Sequence, residues 1–293
     1  MSILNTSERT ALEIFRARPG DLAARDVQDL MTYPFFSLAK SKRVVPIHYR
    51  SGDVTICVEG THEHGIATIW DADILIWAAS QLIEARDHGL PTSRLMRVTP
   101  YEVLKFIGRG TSLRDYQRFK AALDRLQSTT IATSLRQTTQ RRLHRFSWIN
   151  EWKEHIEDNG RVRGIELILP DWFYSALMED RLVLRINTAY FNLTGGIERW
   201  LYRLVRKHGG HQRNGWRFDF KHLYIKSGSL MRYANFAIEL RDIVRRQGIP
   251  DYHLKIERSH TGKERLWFSI KQRPSLRTIM EELAMSLQVR DNL

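Results

Sequence analysis

The side chains that could do chemistry in this 293-residue chain fall into three short groups. His62-Glu63-His64 places two imidazoles one residue apart, the spacing by which some nickases hold a divalent metal. Those sites carry an apolar residue between the histidines, an acid-rich partner and a tyrosine on a helix. Here the middle residue is Glu63, and neither companion is evident. His208 and His211 flank Gly209-Gly210 and could grip a metal, but imidazoles also gather at helix C-termini, where the dipole favours positive charge. Gly108 to Ser112 is glycine-rich like a phosphate-cradling loop, yet lacks that loop's lysine. Cys57 is the sole cysteine, so neither an internal disulfide nor a cysteine-rich zinc site is open to the chain. No Ser/His/Asp or Cys/His constellation stands out. The expectation is a protein without catalytic residues, metal or cofactor.

Charge is the stronger signal. The formal net charge is +13, from 46 basic and 33 acidic residues. Arg94 to Arg145 holds 12 basic against 3 acidic residues, and Arg199 to Lys271 holds 17 against 6. The remainder of the chain is therefore net acidic. Two concentrated basic regions suit a polyanion; an acidic protein or a membrane surface is the alternative. Apolar runs such as Ile74 to Ala79 are far too short to span a bilayer. Met1 to Arg18 is broken by charges and does not read as a signal peptide. A cytoplasmic location is expected.

The two basic regions share one layout: helix, helix, Gly/Ser turn, longer basic helix, basic hairpin. In the first, Asp71 can cap a helix with Ile74, Leu75, Ala78 and Leu82 inward, ended by Gly89 and Pro91. Thr99-Pro100-Tyr101-Glu102 has the capping threonine, first-turn proline and back-reaching glutamate of a second helix start. Ser112 caps the third helix, with Leu113, Tyr116, Phe119, Leu123 and Leu126 inward and Arg114, Gln117, Arg118, Ala121 and Arg125 on the opposite face. A hairpin from Ile131 to Trp148 follows, its tip at Gln137 to Arg142. In the second region, Thr194 caps a helix ending at Gly209-Gly210, Asp219 caps a short helix through Lys226, and Ser229 caps a longer one to about Arg246. Tyr252 to Ile270 alternates as a hairpin turned at Ser259 to Lys263.

Around these regions, residues 1–30 read as weakly patterned helix. Val44 to Val58 reads as a hairpin turned at Ser51-Gly52-Asp53. Glu151 to Leu177 reads as a connector packed on the first region, and Pro274 opens a final helix with Ile279, Leu283 and Leu287 inward. The fold class expected is α+β: two tandem winged-helix domains, residues 1–180 and 181–293.

A winged helix puts its third helix in the major groove and its wing on phosphate or minor groove. Arginine there suits guanine; asparagine or glutamine suits adenine. Arg114, Gln117 and Arg118, then Arg232 and Asn235, are the expected base readers. Thr111, Ser112, Lys226, Ser227 and Ser229 are placed for phosphates, aided by helix N-terminal amides. The wings supply Arg136, Arg141 and Arg142, then His260, Lys263 and Arg265. Two modules on one chain would cover roughly two duplex turns of about 10 bp each.

Six strings carry a family resemblance: Tyr33-Pro34-Phe35-Phe36-Ser37-Leu38, Ile69-Trp70-Asp71-Ala72-Asp73, Thr99-Pro100-Tyr101-Glu102, Arg145-Phe146-Ser147-Trp148-Ile149-Asn150, Leu169-Pro170-Asp171-Trp172-Phe173 and Glu198-Arg199-Trp200-Leu201-Tyr202-Arg203. From about residue 30 to 250 the chain resembles the replication initiator protein A family of bacterial plasmids. The resemblance implies binding to directly repeated origin sites (iterons), help in melting an adjacent AT-rich segment, and recruitment of the host initiator ATPase and replicative helicase. It also implies a repressing homodimer formed through the first module. The strings are mostly core and cap residues, so the DNA-contact assignments rest on helix placement. A transcriptional repressor using the same modules, and a metal-dependent nickase, remain the alternatives.

Overall fold

A helix that is apolar on every side belongs in the middle of a protein. Residues 72–87 form one. The structure, a computed structural model, describes residues 12–17, 20, 22–137, 143–156, 162–210, 212 and 214–271. In it α2 (Ala72–Asp87) is buried continuously from Ala72 to Ile83. Three polar residues are buried in it, Asp73, Ser80 and Gln81. Ser80 donates to the Ile76 carbonyl and accepts from the Arg25 amide, and Asp73 meets two arginines.

Among the described residues, the strands form four sheets. Strands β1 (Ile14–Arg16), β5 (Leu95–Val98), β9 (Val162–Ile168) and β8 (Glu151–Ile156) lie in that order, with only β1 and β5 parallel. Strands β3 (Ile47–Ser51), β4 (Val54–Glu59), β6 (Thr130–Thr133) and β7 (His144–Ser147) make an antiparallel sheet. The early hairpin and the first basic hairpin are thus one surface, joined where Val58 faces Ile131. Strands β11 (Trp216–Asp219), β13 (Glu264–Ile270) and β12 (Tyr252–Arg258) form the third sheet, and β2 (Arg25–Val27) with β10 (Val183–Arg185) the fourth. The remaining helices are α1 (Gln28–Thr32), α3 (Pro100–Phe106), α4 (Leu113–Ser128), α5 (Asp171–Leu177), α6 (Gly196–Gly209), α7 (Phe220–Ser227) and α8 (Tyr233–Arg246). The architecture is mixed α+β.

The aromatic strings are core. Trp148 stacks on Phe36 at 5.0 Å and meets Phe35 edge-on at 5.5 Å, while Phe146 stacks on Trp172 at 4.7 Å. Such offset and edge contacts are the favoured aromatic geometries. One continuous core runs through elements on both sides of residue 180. Arg199 and Arg203, one turn apart on α6, bind Asp73 of α2 and Asp26 of β2 at 2.8 and 2.7 Å, all four essentially buried. Arg199 also lies over the Tyr190 ring at 4.8 Å. A buried charge survives only when paired and hydrogen-bonded, and these arginines have no water to fall back on.

Several local expectations need correction. Among the described residues of 1–30, Ile14–Arg16 and Arg25–Val27 are strands and only Gln28 onward is helical, because β5 and β10 offer them pairing. Helix α6 starts at Gly196, and the Gly195 amide donates to Glu198; Thr194 is no cap. Helix α8 starts at Tyr233 with no side-chain cap, because the Ser229 hydroxyl accepts from the Met231 amide instead. The Asp71 carboxylate is engaged by the Thr68 amide and by a two-pronged Arg125, which removes Arg125 from the open face of α4. Leu113 is 76% exposed, not inward. The final helix from Pro274 lies outside the described residues.

Candidate nucleic-acid interface

The first basic region is built from α3, a turn, α4, and the β6–β7 hairpin. Thr99 and Glu102 close the expected capping box on α3. Gly108, with φ +68°, reverses the chain. Ser112 and Asp115 then cap α4 reciprocally: the Ser112 hydroxyl accepts from the Asp115 amide, and the Ser112 amide donates to the Asp115 carboxylate at 3.1 Å. These bonds, made by Ser112 itself, hold the Asp115 carboxyl below the usual range. The turn is also tied inward, because Arg109 donates to the Trp70 carbonyl at 3.0 Å and to Asp73 at 2.9 Å. Thr111, Arg114 and Gln117 are exposed, and Arg118, 3.7 Å from Asp115, is mostly so.

The second region is built from α7, a turn, α8, and the β12–β13 hairpin. Gly228 ends α7 with φ +59°. Arg232 and Asn235 are exposed at the start of α8. His260 and Lys263 are exposed at the hairpin turn, which the Ser259 amide closes by donating to the Lys263 carbonyl at 2.8 Å.

The residues assigned from sequence separate into three sets. Thr111, Arg114, Gln117, Arg118, Arg232, Asn235, His260 and Lys263 face solvent on the two long helices, their turns and the second hairpin. Ser112 and Ser229 spend their hydroxyls on local amides, and Arg265 pairs with Asp219 at 2.6 Å along the sheet. Three others point into the protein and are corrections. Arg136 lies 3.5 Å over the Trp172 ring, donates to the Trp172 carbonyl, and meets Asp29 at 3.1 Å. Lys226 is buried, its Nζ donating to the Thr32 carbonyl at 3.1 Å and sitting 5.0 Å over Tyr33. Burial, helped by nearby Lys207, pushes the Lys226 ammonium down to about 8. Ser227 is buried and donates to the Tyr224 carbonyl. Arg141 and Arg142 lie outside the described residues.

Some exposed basic residues were missed. Arg145 lies on β7 opposite Ala132. Arg217, Trp267 and Lys255 sit side by side across β11, β13 and β12, a basic–aromatic–basic row. Alternation along β12 could have revealed Lys255; the row depends on β11, which a four-residue strand hardly advertises.

The metal readings gain no support. His62 and Glu63 are exposed in a turn closed by the Gly65 amide donating to the Thr61 carbonyl. His208 packs edge-on against Phe218 at 5.1 Å, and burial pushes it down to about 4; His211 lies outside the described residues. Among the described residues, no three of His, Cys, Asp and Glu cluster as metal ligands, and no helix is long and apolar enough to cross a membrane.

Comparison with known proteins agrees with this architecture. Domains 2 and 3 of RctB, in a selenomethionine crystal structure, superpose with a TM-score of 0.59 at 14% identity, covering 84% of this chain and 99% of that one. A second RctB domains 2–3 structure gives 0.52 at 14% identity, covering 81% and 95%. At that identity the likeness concerns the fold. A protein of Wigglesworthia glossinidia brevipalpis described as a "Putative replication protein" is 34% identical over 229 residues, 77% of this chain and 82% of that relative. The profile of the replication initiator protein A family matches residues 25–254. The chain belongs to the replication initiator protein A family.

Proposed function

We propose that this initiator binds repeated duplex sites at a replication origin through two winged-helix modules, divided near residue 180, in the cytoplasm. Helices α4 and α8 enter successive major grooves. Thr111, Arg114, Gln117 and Arg118, with Arg232 and Asn235, make the base and backbone contacts, and His260 and Lys263 reach phosphate from the second hairpin. Bound copies then promote melting of an adjacent AT-rich segment and recruit the host initiator ATPase and replicative helicase, while a homodimer through the first module represses the protein's own promoter.

The observation that carries this reading is the repeated arrangement of an exposed, arginine-bearing helix after a tight turn, followed by an antiparallel hairpin, in a chain of this family. DNase footprinting on plasmid DNA flanking the gene tests it. Protection of evenly spaced direct repeats beside an AT-rich tract is expected, weakening steeply with salt as phosphate contacts release counterions. A single protected palindrome over the promoter would instead make the protein a repressor. Absence of protection at moderate salt would remove both basic surfaces from the argument.

A further inference from the structure

Helix α8 carries one side chain that neither packing nor solubility explains. Ile238 is 61% exposed in the middle of the helix. The inward stripe is Phe236, Ala237, Leu240, Ile243 and Val244, and 100° per residue puts Ile238 almost diametrically opposite it. Ala234 lies one turn before Ile238 on the same outward line, and Asn235 lies three residues before it, within side-chain reach. The C-terminal half of this outward face is charged, but its charges are compensated: Arg241 binds Glu264 of β13 and Arg245 binds Asp242. The N-terminal half therefore presents Arg232, Ala234, Asn235 and Ile238, a cation, an amide and two aliphatic groups.

Resting on the DNA-binding reading above, we propose that Ile238 determines base specificity by contacting thymine C5-methyl groups in the major groove, beside an adenine held by Asn235. The chemistry is complementary. An asparagine amide pairs with adenine N6 and N7, and thymine is the base that offers a methyl group to an apolar side chain. The second module would thus favour A·T pairs. The outward line of α4 differs: it carries Arg114 and Arg118 beside Gln117 and Ala121, and arginine suits guanine. An aliphatic side chain exposed to water in the free protein is dehydrated together with the methyl it meets. Removing that methyl should weaken binding about fourfold.

The test uses the full chain and a duplex that the protein itself selects from a randomised pool. Each thymine in the selected duplex is then replaced singly by deoxyuridine, which deletes the methyl and leaves every hydrogen-bonding group in place. Wild-type protein should lose about three- to fivefold in affinity at one or two thymines. Ile238→Ala should bind the thymine and deoxyuridine duplexes equally, and Ile238→Val should fall between. Because Ile238 lies outside the core, unchanged thermal melting serves as the folding control. Deoxyuridine that is neutral everywhere, or that weakens Ile238→Ala as much as wild type, overturns the proposal while leaving DNA binding intact. Neutral deoxyuridine together with a changed oligomeric state of Ile238→Ala would make this face a protein contact instead. A pool from which no duplex is selected fails the DNA-binding reading itself.

Discussion

The two basic regions make the same turn by different means. In the first, the entry to α4 is closed by its own residues, Ser112 and Asp115, and Gly108 reverses the chain with nothing packed where a side chain would project. In the second, α8 has no side-chain cap, and support comes from the far end of the sequence. Lys226 reaches Thr32, Arg43 donates to the Gly228 carbonyl at 2.6 Å, and a Cβ on Gly228 would lie 2.8 Å from Pro34 and 3.1 Å from Ile47. A locally capped turn can form before the rest of the protein; a turn clamped by residues nearly 200 positions away exists only in the finished fold. The second basic helix is therefore positioned by the first half of the chain. Asp73 links them again, since it binds both Arg109 of the first turn and Arg199 of α6.

Breaking that shared anchor should have the largest effect. Asp73→Ala strands Arg199 without its carboxylate in the interior and should cost about 3–5 kcal/mol in urea unfolding. A loss below 1 kcal/mol would mean that the two regions do not depend on this seam.

Lys226 sharpens the contrast through pH. Its folded-state value is depressed to about 8 from an ordinary 10.5, so between those values the unfolded chain binds more protons and stability from this group rises with pH. Wild type should gain roughly 2–3 kcal/mol relative to Lys226→Met between pH 8 and 10.5. Parallel pH profiles for the two proteins would show that Lys226 is not confined as described.

The paired glycines give a smaller, more local comparison. Both have left-handed φ, so alanine costs about 1–2 kcal/mol at either. Only Gly228 adds a steric conflict with Pro34, so Gly228→Ala should be the more damaging to thermal stability and to duplex binding. Equal losses would count against the clamp.

The smallest effect is expected at the caps. Ser112→Ala should cost about 1 kcal/mol, the usual value of an N-cap, whereas Ser229→Ala, which removes a turn bond away from a helix start, should cost less. Reversed magnitudes in urea titrations would exchange the roles given to the two turns.

What was legible before the structure was local. The Thr99–Glu102 box, the cap at Ser112, the turn at Gly228 and the alternating hairpins at 47–58 and 252–270 depend on neighbours within a few residues, and the chain displays them directly. The exposure of Arg114, Gln117, Arg232 and Asn235 followed from helical periodicity. Misreadings came where a distant partner decides. Arg136, Lys226 and Ser227 look like surface groups by type and position, yet Asp29 with Trp172, Thr32 with Tyr33, and Tyr224 draw them inward. The strands at 14–16 and 25–27 are too short to show a period and exist because β5 and β10 lie alongside.

By itself, then, the sequence determined the family, the mixed α+β composition, the two basic regions and the presence of helices and hairpins in them, since periodicity and charge are properties of adjacent residues. Tertiary structure decided which basic side chains reach solvent, how the early hairpin joins the first basic hairpin, and how Asp26 and Asp73 lock α6 onto the N-terminal half. The reason is energetic: an arginine or lysine is indifferent to its surroundings in an extended chain. Only the desolvation that accompanies packing forces it either to find a buried partner or to remain in water.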